Sequence, residues 1–396
     1  MFKKLSKKSN TKSNDATNKP LDVVLIGCGP SGMALLHALA YQKSKNPDLN
    51  LPNITCYERA SSAGGLWRNI KDSNDPKRKQ PENRAVMYDD LWCNVPKELM
   101  EYFDYTFNEH FKKPTSAFLQ RQEVLEYIIA RNSVDGALDN VKFNHSVESV
   151  TFDDAASKFK VVVKNNTEGA SISEEYDRCV WAGGINGYLE DPDDVEDVLK
   201  EYTGKMLHSS EAYEDIGAHV KGKTVMMIGD SSSAEDLTLR CLKLGAKKVY
   251  ICSRSGQGAA SDTTSWPQDK VEMIWGVPYK VVKGTGFKCQ GVYWSEKRQK
   301  FRKDDEDPPV KVKDIDTVIS CTGYNANLDM LDQTLRLDED GLWKTPKGWE
   351  MENNAFTISV GNVPPSKSLM FGATVYPDLY KGLLISNPKM MVRYGR

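Results

Sequence analysis

Apolar residues along the chain fall into short runs separated by polar and glycine-rich breaks. The run LDVVLIG at 21–27 is β-branched and continuously apolar, which predicts a buried strand. MALLHALAYQ at 33–42 follows directly and predicts a helix, and NITCYER at 53–59 predicts the next strand. Strand, helix and strand in that order make a βαβ unit and therefore a parallel sheet. The stretch 70–84 is polar and contains proline, so it reads as a loop. RQEVLEYIIA at 121–130 has the spacing of an amphipathic helix. The run 141–165 reads as strands joined by a polar turn, in the manner of a meander, and YDRCVWAGG at 176–184 as a strand ending in glycines.

The pattern then starts again. GKTVMMIG predicts a strand, SAEDLTLRCLKLG a helix with Gly245 at its C-terminal end, and KKVYICSR a strand. DIDTVISCTGY at 314–324 predicts a late strand ending in a glycine turn. The expected architecture is α/β, with two Rossmann-type dinucleotide-binding domains, the second inserted into the first. Two acidic, proline-containing stretches, LEDPDDVEDV and KDDEDPPVKVK, mark the boundaries. The first domain is then 21–194 with 318–396, and the second is 195–317.

Composition narrows the setting. The chain has 396 residues, 39% hydrophobic and 27% charged, with a net charge of -2 that gives no reason to expect a nucleic-acid partner. No apolar run approaches the ~20 residues needed to span a bilayer, so no membrane partner is expected. Residues 1–20 lack an apolar core and read as a disordered basic tail rather than a secretory signal. None of the eight cysteines forms C-x-x-C, and their spacing suggests neither zinc nor a disulfide framework. A reducing, cytoplasmic setting fits. The five histidines are scattered, so no metal site is expected.

The first glycine turn, IGCGPSG, places Gly27, Gly29 and Gly32 in the G-x-G-x-x-G pattern, with Pro30 and Ser31 between them. It lies after a strand and before a helix, the context that gives the motif meaning. Gly27 permits the tight turn, Gly29 lets a pyrophosphate approach the backbone, and Gly32 lets helix and strand pack closely. The helix N-terminus then faces the phosphates. Glu58 ends the following strand and can accept a ribose hydroxyl. It lies 31 positions after Gly27, and the polar stretch KSKNPDLNLPN accounts for the added length. GGLWR at 64–68 adds Gly65, Leu66 and Trp67: two glycines that let backbone approach a flat ligand, and an apolar wall. A ligand-free glycine turn is the plain alternative for either motif alone.

The second turn, IGDSSSAED, keeps Gly229 but has Ser231 at the middle glycine and Ala234 at the third. The Ser231 hydroxyl can donate to a phosphate, Ser232 and Ser233 join it among the cofactor-binding candidates, and Ala is an accepted third residue. Arg254 stands 25 residues after Gly229, at the end of the next strand. An arginine there, without an acid, suits the 2′-phosphate of NADP. The alternative is an ordinary βαβ unit whose arginine is solvated.

Taken in order, IGCGPSGMA, YERASSAGGLW, MYDDLWCNVPKELMEYFDYTFNEHF, YTGKMLHS, IGDSSSAED, WP at 266–267 and DTVISCTGY resemble the flavin-containing monooxygenases, in particular the bacterial trimethylamine monooxygenase branch. The resemblance runs from about 21 to about 330. It implies FAD in the first site, NADPH in the second, and transfer of one oxygen atom from O2 to a soft nucleophile, a tertiary amine or a sulfide. It assigns Asn94 as the catalytic asparagine, in contact with cofactor, and places Thr322, Gly323 and Tyr324 among the cofactor-binding residues. It leaves room for a homodimer. A Baeyer–Villiger enzyme would show Trp-Pro after His208, and a disulfide reductase would show paired cysteines; neither is present.

Four departures stand out. The family signature F-x-G-x-x-x-H-x-x-x-F/Y reads here as Tyr202, Gly204 and His208, with Ala212 in the last slot and Tyr213 one position late. The usual A-T-G is Ala182-Gly183-Gly184. Ser232 stands where the bacterial branch tends to carry an aromatic ring. After Tyr324 only 72 residues remain, of which 343–376 resemble an insertion, so the C-terminal part of the first domain is expected to be incomplete. The alternative reading is therefore a truncated FAD/NADP-binding protein that forms peroxide or has no activity.

Overall fold

The computed structural model describes residues 19–68, 87, 91–102, 104–184, 188–189, 193–211, 216–254, 258, 260, 264–295, 297, 300–304, 306–325, 329–332 and 335. The tail before 19, the loop at 70–84, Ala212, Tyr213 and the stretch 343–376 lie outside them.

The chain opens with β1 (Asp22–Ile26), α1 (Pro30–Lys45) and β2 (Asn53–Tyr57). After α2 (Phe107–Phe111) and α3 (Arg121–Asn132), the short β3 (Val141–Lys142) adds to the edge of β2. The meander follows as antiparallel β4 (His145–Asp153), β5 (Lys158–Asn165) and β6 (Ser171–Tyr176). Then β7 (Arg178–Trp181) returns beside β1, completing a parallel sheet in the order β3-β2-β1-β7. Alternation along β1 explains the layering. Val23 and Leu25 face α1 and α3, packing with Met33, Leu36 and Tyr127. Val24 and Ile26 face the meander, packing with Val150, Val161, Val163 and Trp181.

Beyond β8 (Tyr188–Leu189) and α4 (Asp193–Leu199), a second parallel sheet forms. Its strands are β9 (Lys205–His208), then, after α5 (Ile216–Val220), β10 (Thr224–Ile228), α6 (Ser232–Lys243) as the crossover, β11 (Lys248–Ser253) and β12 (Val271–Trp275). One face carries α5 and α6 over Val225 and Met227. The other face, with Met226 and Ile228, is covered by Tyr202, Phe287, Cys289 and Val312. These come from α4's end and from the antiparallel β13 (Val277–Val282), β14 (Gly286–Gln290) and β17 (Val310–Val312); β15 (Val292–Ser295) and β16 (Lys300–Lys303) form a hairpin.

β18 (Thr317–Ser320) corrects the boundary expected between 317 and 318. It runs parallel between β10 and β9, inside the second sheet, so a cut there would split a fully buried strand. The acidic stretch ending in β17 likewise belongs to the second unit. Among the described residues the chain goes back through β19 (Tyr324–Asn325), which pairs with β8 so that the outgoing and returning segments lie side by side. Leu331 then bridges Val150, and Leu331 and Leu335 are buried with the meander core.

Candidate active site

The two glycine turns occupy equivalent places at the carboxyl ends of their sheets. Gly27 has φ +99°, and a methyl group there would lie 2.6 Å from the Ala182 carbonyl oxygen. Gly229 has φ +103°, and a methyl there would lie 2.4 Å from the Cys321 carbonyl oxygen. In each, the neighbouring parallel strand runs too close for any side chain, and the φ is one that glycine adopts freely.

At the first turn, a methyl on Gly32 would come within 2.1 Å of the Gly27 carbonyl oxygen, so only glycine allows this helix–strand contact. Gly29 is the N-cap of α1 and offers no side chain to cap it, and Pro30 stands where its missing N–H is no loss. The first-turn N–H groups of Ser31 and Gly32 are left for another acceptor. Gly64 donates to the Cys28 carbonyl at 3.0 Å, which lays the one-turn helix of Gly65, Leu66 and Trp67 against this turn. Glu58 is buried, and its two carboxylate oxygens accept from the backbone N–H of Cys28 and Ala60, both at 2.8 Å. Each oxygen keeps a lone pair for a further donor.

At the second turn, Ser231 is the N-cap of α6, and its side chain makes no capping bond. Ala234 is fully buried, and its methyl fills the core under the helix where glycine was expected. Asp230 was not singled out from the sequence. It is buried and accepts the Ser253 hydroxyl and, at 3.1 Å, the Gly258 N–H, while its carbonyl accepts Ala260 N–H at 2.9 Å. It thereby anchors the segment on both sides of Arg254, which is exposed at the end of β11.

Asn94 sits on a ribbon in which 91–97 runs antiparallel to 117–121. Trp92 bridges Gln120, Cys93 N–H donates to Leu119 at 2.8 Å, and Lys97 N–H donates to Ala117 at 2.6 Å. Two buried cations hold it. The Lys97 ammonium donates to Asn108 Oδ1 at 2.8 Å and Thr115 Oγ1 at 2.9 Å. Arg121 donates its backbone N–H to Leu91 at 2.9 Å and its guanidinium to the Trp67 carbonyl, tying this ribbon to the GGLW turn. Neither residue carries a motif, because the partners that bury them, Asn108 and Thr115 for Lys97 and the Trp67 carbonyl for Arg121, lie outside their own local pattern. The Asn94 amide nitrogen donates to Ser232 Oγ at 3.0 Å. The structure thus joins a residue of the first unit to the helix that follows the second turn.

Thr322, Gly323 and Tyr324 follow β18. Thr322 Oγ1 lies 2.9 Å from Ser320 Oγ, and Gly323 has φ +101°. The Tyr324 hydroxyl meets Ser209 Oγ at 3.2 Å, its ring stands edge-on to His208 at 5.2 Å, and burial raises its pKa. The side-chain contacts of Tyr324 are to the second unit, while its backbone pairs with Leu189 of β8. The Tyr202–Gly204–His208 signature is also structural. The Tyr202 ring folds back so that a methyl on Gly204 would lie 2.0 Å from its hydroxyl, which donates to the Ile315 carbonyl at 2.9 Å.

The donor set fits dinucleotide phosphates at both turns: a cradle that a Cβ would fill, uncapped helix N-termini, an acid beside the first and an arginine beside the second. Among the described residues, no group of His, Cys, Asp and Glu is arranged to hold a metal ion, and no helix is long and apolar enough to cross a membrane.

Comparison with known proteins agrees with this geometry. A profile of the flavin-binding monooxygenase-like family matches residues 21–288. Trimethylamine monooxygenase of Roseovarius nubinhibens is 30% identical over 315 residues, covering 80% of this chain and 63% of that protein. This chain therefore spans somewhat under two thirds of that relative's length. The crystal structure of Tmm from Pelagibacter sp. strain HTCC7211 superposes with a TM-score of 0.68 at 25% identity, over 94% of this chain and 78% of that one. S-allyl-L-cysteine S-oxygenase from Allium sativum shares the fold, with a TM-score of 0.65 at 20% identity over 95% of this chain and 83% of that one. The chain belongs to the flavin-binding monooxygenase-like family.

Proposed function

We propose that this protein is an NADPH- and FAD-dependent monooxygenase that transfers one oxygen atom from O2 to a soft nucleophile, a tertiary amine or a sulfide. The observation that carries the reading is the placement of Asn94, fixed on the first unit yet bonded to Ser232 at the mouth of the second turn. A residue so placed serves both cofactor sites at once, as a reaction linking two dinucleotides requires. The names of the relatives, trimethylamine monooxygenase and S-allyl-L-cysteine S-oxygenase, support nitrogen and sulfur as acceptors.

The residues divide the work. Gly27, Gly29, Pro30, Ser31 and Gly32 would receive the FAD pyrophosphate at the α1 N-terminus, with Glu58 accepting a ribose hydroxyl and Gly65, Leu66 and Trp67 walling the ring system. Gly229, Ser231, Ser232 and Ser233 would receive the NADPH pyrophosphate, and Arg254 its 2′-phosphate. Thr322, Gly323 and Tyr324 would line the passage between the units. When bound, the flavin supplies the oxygen chemistry and the nicotinamide the hydride. The Asn94 carboxamide holds the reacting groups in register by hydrogen bonding, and Trp67 and the ribbon keep water out of the contact.

The test is an NADPH oxidation assay on the purified full chain with trimethylamine, with a sulfide and with neither, hydrogen peroxide being measured in parallel. Oxygenated product with flavin bound in near-stoichiometric amount is the expected result. A colourless protein, or NADPH consumed wholly to peroxide with every acceptor, overturns it.

A further inference from the structure

We infer that Ser232 is a positioning residue for Asn94, so that the orientation of the asparagine amide depends on the first turn of α6. This inference rests on the proposed function. Three observations carry it. First, the Asn94 amide nitrogen donates to Ser232 Oγ at 3.0 Å, across 138 positions of sequence. Second, the ribbon that carries Asn94 is held to the first unit by Lys97 and Arg121, so its backbone is set independently of α6. Third, Ser232 is the first residue of α6, and the N-cap Ser231 makes no side-chain bond that would close off this helix end.

A carboxamide is planar, so fixing Nδ2 on Ser232 also fixes the direction of Oδ1. Asn94 is otherwise an exposed side chain with free rotation about two bonds. The Ser232 hydroxyl removes that freedom and leaves Oδ1 as the acceptor offered to whatever occupies the space in front of the helix. A serine hydroxyl has one proton to donate and two lone pairs. It can accept from Asn94 and donate to a phosphate oxygen at the helix end together. Occupancy of the second turn and orientation of the asparagine are then one linked event rather than two.

The experiment is a double-mutant cycle on the full chain, read by the dissociation constant for NADP+ in a calorimetric titration, which needs no turnover. The variants are Asn94→Ala, Ser232→Ala, the pair together, and Ser232→Thr. Each alanine variant is expected to weaken binding, and the double variant to weaken it by less than the product of the two single effects, by about threefold or more. Ser232→Thr, which keeps the hydroxyl, is expected to stay within about twofold of the parent. If the two effects multiply, or if Ser232→Thr behaves like Ser232→Ala, the positioning role is wrong while the proposed function stands. If the parent chain does not bind NADP+, the proposed function fails, and this inference with it.

Discussion

Gly65 and Gly29, 36 positions apart, are in backbone contact: a methyl group on Gly65 would lie 2.9 Å from the Gly29 Cα. Gly65 also holds φ +56°, in the left-handed region. Gly65→Ala therefore meets both a strained backbone and a clash with the pyrophosphate turn. A cost of about 1–3 kcal/mol is expected in stability. The larger consequence is for flavin, because the displaced turn is the one proposed to receive its phosphates. The flavin-to-protein absorbance ratio of the purified variant is expected to fall severalfold. An unchanged ratio would show that the two turns do not act as one surface.

Arg254 and Asp230 predict a shared phenotype. Arg254→Ala is expected to raise the Michaelis constant for NADPH by about tenfold to a hundredfold, the loss of one charge-assisted contact to the 2′-phosphate, and to leave that for NADH nearly unchanged. Asp230→Ala is expected to move the same ratio in the same direction, because it removes the acceptor of the Ser253 hydroxyl, just before Arg254, and of the Gly258 N–H, four residues after it. A variant that weakens NADPH and NADH alike would refute the 2′-phosphate assignment.

Asn94→Ala separates coupling from binding. With the amide gone, the ratio of oxygenated product to hydrogen peroxide is expected to fall more than tenfold, the scale of a lost transition-state hydrogen bond. Anaerobic flavin reduction by NADPH, followed by stopped-flow absorbance, is expected to slow by a much smaller factor. Equal loss in both measurements would assign Asn94 to cofactor binding alone.

The signature around Tyr202 gives a stability prediction. Tyr202→Phe keeps the ring against Phe287 but leaves the buried Ile315 carbonyl without its donor, a cost of about 1 kcal/mol. Gly204→Ala drives a methyl into the Tyr202 hydroxyl and is expected to cost about 1–3 kcal/mol. Because both act on one contact, the double variant is expected to cost less than the sum in denaturant unfolding. Additive costs would mean that Gly204 is required for some other reason.

What was legible in the sequence was local. Gly27, Gly32 and Gly229 announced their turns because glycine spacing and strand–helix order lie within a few residues of one another. The alternation of β4 and β5 announced the meander for the same reason. What the sequence did not reveal was carried by partners distant along the chain. β18 reads as any late apolar strand, and only its pairing with β10 and β9 assigns it to the second sheet. Asp230 belongs to no motif of its own, and its role rests on Ser253 and Gly258, 23 and 28 positions away. Lys97 and Arg121 are both buried, one against the side chains of Asn108 and Thr115 and the other against the Trp67 carbonyl, pairings that no local pattern announces.

Glu174 supplies a pH test of the joint between meander and sheet. Its carboxylate accepts the hydroxyls of Tyr176 and Tyr57, the latter from β2, and the two hydroxyls lie 3.1 Å apart. The hydrogen bond from Tyr176, followed by that from Tyr57, holds the Glu174 pKa below its usual 4.5. A carboxylate depressed on folding contributes stability above pH 4.5 and loses it as pH falls through the lower folded value. Glu174→Gln cannot titrate, so it is expected to lower the melting temperature near neutrality and to narrow that deficit as the pH drops below 4.5. Melting temperatures of the parent and Glu174→Gln, followed from pH 7 to about pH 3, measure it. A deficit that stays constant across that range would show that the charge of Glu174 contributes nothing to the joint.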